Sequence, residues 1–190
     1  MKRIVEIGFP KCGQNSLVAY LNKLYNNPRT DESGSPYIQR HECIWRKDGL
    51  DIMKEWDKKG YQAVIITREP VARIWSSYHY FGYSQQMNWE EYLCMKSTGE
   101  RSFGEENPII QSNYDAWIKR FEEFNPIVYN LENLVEELGN EFPALNITKN
   151  QGYRKEKSIT SPVKQIPPDY RKLAEHLIKH ERKNEIRWTY

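Results

Sequence analysis

The stretch Tyr61–Thr67 (YQAVIIT) constrains the fold more than any other part of this sequence. It is the clearest strand in the chain, rich in β-branched and apolar residues, and it stops at Arg68-Glu69-Pro70. Pro70 is well placed in the first turn of a following helix, predicted to run to about Tyr80. A strand that passes directly into a helix is half of a βαβ unit, and the pattern recurs along the chain.

Lys2–Phe9 (KRIVEIGF) reads as a buried strand ended by a turn at Pro10 and Gly13. Leu17, Tyr20, Leu21 and Leu24 then follow the stripe of a helix packed on a sheet. The segment 26–36 (NNPRTDESGSP) is a loop of turn formers. Tyr37–Trp45 is a candidate strand, and Leu50–Trp56 is helical in pattern. Tyr114, Trp117, Ile118 and Phe121 mark a long amphipathic helix. Pro126–Asn130 (PIVYN) is a short strand with a helix after it to about Leu138. Gly152–Pro168 is basic and irregular, and Tyr170, Leu173, Ala174, Leu177 and Ile178 form a last amphipathic helix. Alternation of this kind predicts one α/β domain over residues 1–190, a parallel sheet flanked by helices. Ligands of such sheets sit beyond the carboxyl ends of the strands, here residues 10–16 and 68–76.

Charge and composition narrow the partners. The 28 Lys and Arg against 26 Asp and Glu leave a net charge of +2, so an anion must be captured by a local cluster. A nucleic-acid or membrane partner is therefore not expected. A hydrophobic share of 38% and an aromatic share of 13% supply a core. No stretch approaches the roughly 20 apolar residues of a membrane span. The apolar run after Lys2 and Arg3 is too short for a secretory leader. Cys12, Cys43 and Cys94 form no CxxC pair, so reduced thiols and a cytoplasmic location are expected. No metal-ligand spacing is present, and no metal is expected.

Residues 8–17 (GFPKCGQNSL) join the first strand to the first helix. Convergent backbone N–H groups, a helix dipole and Lys11 suit an anion. Gly13 permits a positive φ or a close approach, and Gln14, Asn15 and Ser16 add hydrogen-bond donors. Gly8 and Gly13 have Walker A spacing, but Gln14 and Asn15 stand where that motif has Lys and Ser/Thr. The ATP–Mg²⁺ version of the site therefore lacks its lysine and its hydroxyl. An ordinary βα turn with a capping residue is the competing reading.

At the second position, Arg68 ends the best strand and Ser76 follows two helical turns later. A guanidinium with a nearby hydroxyl suits a phosphate. The plainer alternative is that Arg68 and Arg73 pair with Glu69 or Glu132 at the surface.

Together the two segments resemble those of sulfotransferases that use 3′-phosphoadenosine 5′-phosphosulfate (PAPS). Residues 10–17 (PKCGQNSL) are similar to that family's phosphosulfate loop, PKxGTTxL. Arg68, Pro70, Arg73, Ser76 and Tyr78 match its 3′-phosphate motif, RxPxxRxxSxY, with every spacing kept. Tyr114–Trp117, Val128–Leu134, the basic stretch Tyr153–Pro162 and Trp188 resemble the heparan-type branch more loosely. Gln14 and Asn15 depart from the family's Thr-Thr, and 190 residues is short for it.

The resemblance implies a P-loop-like α/β fold, shared with nucleotide kinases, and PAPS as co-substrate with the bisphosphate PAP as product. By its motifs Lys11 contacts the bridging and sulfonate oxygens. Cys12, Gly13, Gln14, Asn15 and Ser16 hold the phosphosulfate, and Arg68 and Ser76 hold the 3′-phosphate. Arg154, Lys155 and Lys157 are candidates for a basic loop over the nucleotide. The general base is expected near the end of the second strand, where His41 and Glu42 fall. Glu42 resembles the catalytic glutamate of the heparan-type and tyrosylprotein branches, with Asp31 and Glu32 as alternatives.

The resemblance implies a hydroxyl or amine acceptor, with a glycan or another small molecule as candidates that the sequence does not choose between. Trp75, Tyr78, Tyr80, Tyr83, Trp89 and Tyr92 either line its pocket or pack the core. Two other functions stay open: a P-loop-type nucleotide or small-molecule kinase, and a nucleotide-binding protein that has lost turnover.

Overall fold

Four short strands form one sheet: β1 (Arg3–Glu6), β2 (Tyr37–Gln39), β3 (Tyr61–Thr67) and β4 (Ile127–Asn130). The structure, a computed structural model, describes residues 3–8, 11–13, 17, 21, 35–40, 48–95, 108–109, 113–134, 136 and 166–181. It divides into two units, one of Met1–Arg68 with Ile118–Lys157 and one of Glu69–Trp117 with Ser158–Tyr190.

The sheet belongs to the first unit. All pairings are parallel and the order is β2-β1-β3-β4, as the alternation of strands and helices predicts. Val5 sits opposite Ile38 on one side and Ala63 on the other, and Ile65 opposite Val128. Ile4, Val5, Ile7, Ile38 and Ala63–Ile66 are buried. Burying each larger side chain contributes about 1.5–3 kcal/mol. The helix α1 (Gly49–Lys58) packs on β3 through the buried Met53 and Trp56. Trp56 meets Tyr61 edge-on at 5.0 Å, and Arg40 and Lys59 lie over its ring at 5.3 and 4.4 Å. Leu17 and Leu21, both helical, are buried as the stripe predicts.

The second unit is helical: α2 (Pro70–Tyr80), α3 (Trp89–Leu93), the start of α4 (Tyr114–Arg120) and α5 (Pro168–Glu181). Its core gathers Val71, Ile74, Trp75, Tyr78, Trp89, Tyr92, Ala174 and Ile178. Trp75 meets Trp89 edge-on at 5.1 Å, and Trp89 stacks on Tyr170 at 6.0 Å while its Nε1 donates to the Tyr170 carbonyl. The sequence expectation missed α3, although Asn88 and Glu91 complete a capping box there. Among the described residues no helix is long and apolar enough to cross a membrane.

Candidate functional site

The sheet order identifies where a ligand should lie. From β1 the chain proceeds to β2 on one side, and from β3 to β4 on the other. The connections leave in opposite directions from these adjacent strands, so the switch point lies between the carboxyl ends of β1 and β3. The described residues that emerge there are Gly8, Lys11, Cys12 and Gly13 on one side and Thr67-Arg68 on the other.

Both sides of this point are shaped by backbone geometry. Lys11 has a left-handed backbone (φ 65°), which a non-glycine residue adopts at a cost. Gly13 has φ 103°, a region that side chains with a Cβ rarely enter, and a Cβ there would meet the Leu131 side chain. The Gly13 carbonyl accepts from the Leu17 N–H at 3.1 Å, which begins the helix after the loop. A left-handed residue in such a loop is one way that neighbouring backbone N–H groups can be turned toward an anion.

Arg68 ties the two segments together. Its Nη1 donates to the Lys11 carbonyl at 3.0 Å. Burial first, and the neighbouring Arg68 charge second, lower the Lys11 pKa to about 8. Arg68 makes no ion pair among the described residues. Two cations are thus held close in a half-buried setting, an arrangement that an anion stabilises.

The surface-pairing alternative fares differently at the other residues. The Glu69 carboxylate caps α2 by accepting from the Val71 and Ala72 N–H groups at 3.0 and 2.8 Å, and it meets Arg171 at 3.4 Å. Arg73 is wholly buried and donates from Nη2 to the Pro108 carbonyl at 2.7 Å. Tyr78 donates to the Met87 carbonyl at 2.7 Å. Arg73 and Tyr78 therefore serve the packing of the second unit. Trp75, Trp89 and Tyr92 are buried as well, which favours packing over a pocket for this aromatic cluster. Tyr92 shows the depth of that core: burial raises its pKa, against the opposing pull of Arg73 and Ser77.

Of the predicted site residues, Lys11, Cys12, Gly13 and Arg68 come together in the first unit, with Cys12 fully buried. Ser76 is buried on α2 in the second unit. Gln14, Asn15, Ser16, Asp31, Glu32, His41, Glu42, Arg154, Lys155 and Lys157 lie outside the described residues. Sequence reasoning passed over Glu6 and Gln39, which end β1 and β2 and are buried side by side in register. Their signal was a polar residue at the end of an otherwise apolar strand. Among known proteins, no family model, curated protein or solved structure matches the chain.

Proposed function

We propose that this protein is a sulfotransferase that moves the sulfuryl group of PAPS to a hydroxyl or amine acceptor. The observation that carries the reading is the Lys11–Arg68 pair. A lysine lowered to about 8 and a guanidinium without an ion-pair partner among the described residues meet at the sheet's switch point. The two sequence motifs supply the identity of the anion.

In this reading the acceptor oxygen attacks sulfur in line as the bond from sulfur to the 5′-phosphate oxygen breaks. Lys11 stabilises the charge that develops on the leaving oxygen. Glu42, with His41 beside it in sequence, takes the acceptor proton, and the products are the sulfated acceptor and PAP. Arg68 holds the 3′-phosphate through the guanidinium donors that Lys11 does not use.

Calorimetric titration with 3′,5′-adenosine bisphosphate, 5′-AMP and Mg-ATP tests the proposal. Tight binding of the bisphosphate, weakened at least tenfold without the 3′-phosphate, is the expected result; tenfold corresponds to about 1.4 kcal/mol. A preference for Mg-ATP, or indifference to the 3′-phosphate, would overturn it. Binding without sulfate transfer to any acceptor would instead favour a protein that has lost turnover.

A further inference from the structure

Glu6 is fully buried at the carboxyl end of β1, where a charged side chain is costly. Its backbone is ordinary ladder: the Glu6 carbonyl accepts from the Arg40 N–H at 2.7 Å, as Pro36 accepts from Ile4 two residues earlier. Continuation of that parallel ladder would send the Gly8 N–H to the chain beyond β2. Instead Gly8 donates to the Glu6 carboxylate, Oε1, at 2.6 Å. The chain passes so close that a Cβ at position 8 would meet Glu6 Oε1 and, at 3.1 Å, the Ile66 nitrogen. Three residues later stands Lys11, in its left-handed conformation.

We propose that Glu6 is the positioning residue of the anion loop: its carboxylate takes the Gly8 N–H out of the sheet ladder and turns the chain toward Lys11. The physical reason is the amide's need for an acceptor at the point where β1 leaves the sheet. A glutamate two residues back supplies it without a neighbouring strand, and the bond to a carboxylate is stronger than one to a neutral oxygen. An apolar residue of equal length would fill the same space at lower desolvation cost, so packing alone does not account for an acid here. The inference rests on the reading of this loop as an anion site, and its test separates the two.

Glu6→Met keeps the side-chain length and removes the acceptor, whereas Glu6→Gln keeps an oxygen. Amide hydrogen exchange of the free protein reads the loop directly, and calorimetry with 3′,5′-adenosine bisphosphate reads its consequence. For Glu6→Met, exchange over residues 8–13 should rise about tenfold while residues 61–67 stay at wild-type protection. Affinity should fall about tenfold, and the melting temperature should fall as well, because the Gly8 N–H loses its acceptor. Glu6→Gln should restore both exchange and affinity to within about threefold of wild type. Should Glu6→Met fail to fold, Glu6→Asp, with the charge kept but one methylene short, carries the same expectation.

Wild-type exchange over 8–13 in the variant that lacks the acceptor would overturn the proposal. So would a Glu6→Gln variant as loose as Glu6→Met. If the loop loosens as expected but wild type binds no bisphosphate, the positioning role stands and the sulfotransferase reading falls.

Discussion

Lys11 owes its lowered pKa, about 8, first to burial and then to the Arg68 charge beside it. In the unfolded chain a lysine titrates near 10.5, so between those values the unfolded state binds more protons. The group therefore opposes folding in full below pH 8, and the opposition fades as pH rises from about 8 toward 10.5. Anion affinity runs the other way. On the proposed function, the association constant for the bisphosphate should be highest near pH 7, where its phosphates are largely dianionic, and fall above pH 8, by up to tenfold per unit. Lys11→Arg, which does not titrate in this range, should remove that fall, and calorimetry from pH 6.5 to 9.5 would show whether it does. A second residue-scale prediction concerns Gln39, whose buried side-chain amide has neither atom hydrogen-bonded among the described residues. Replacing it with Met should stabilise the fold by about 1 kcal/mol, since the penalty of an unmet amide disappears. Urea denaturation reads this, and a loss of stability would show that the amide has a partner in solution.

Helix α2 shows how an element inherits its boundaries from single residues. Pro70 fits its first turn, and Glu69 before it accepts from two otherwise orphaned N–H groups. Glu69→Ala removes the cap and the contact with Arg171, and should cost about 1–2 kcal/mol by thermal unfolding, with little change for Glu69→Asn. Arg73, on the same helix, is a motif residue with a structural task. Arg73→Met removes the buried bond to the Pro108 carbonyl and should destabilise by about 1–3 kcal/mol in denaturant. Both ends of β3 and α2 were legible because apolar β-branched residues, a proline and an acidic cap agree locally. Strand β1 ends at Glu6 rather than Phe9, because Gly8 leaves the ladder for the Glu6 carboxylate, a contact no periodicity reveals. Helix α3 escaped because five residues are too few for a stripe, although its capping box was readable.

For the molecule as a whole, a ligand that binds only the folded state raises its stability, by about 2.7 kcal/mol at a hundredfold excess over Kd. On the proposed function, the bisphosphate should therefore raise the melting temperature, 5′-AMP should do so less, and Arg68→Ala should abolish the difference between them. Equal shifts for both ligands in wild type would overturn the proposed role of Arg68 at a 3′-phosphate. The α/β class follows from the alternation of strands and helices along the chain, whose apolar residues are buried in a covered parallel sheet. The sequence by itself also singled out Lys11, Gly13 and Arg68, because charge and turn chemistry are local properties. Only the tertiary structure decided the order β2-β1-β3-β4, which makes neighbours of the segments after β1 and β3. That adjacency brings Arg68 onto the Lys11 carbonyl across 57 residues of chain and lowers the lysine pKa. Burial and cross-strand contact depend on which strands pair, and no local pattern encodes that choice.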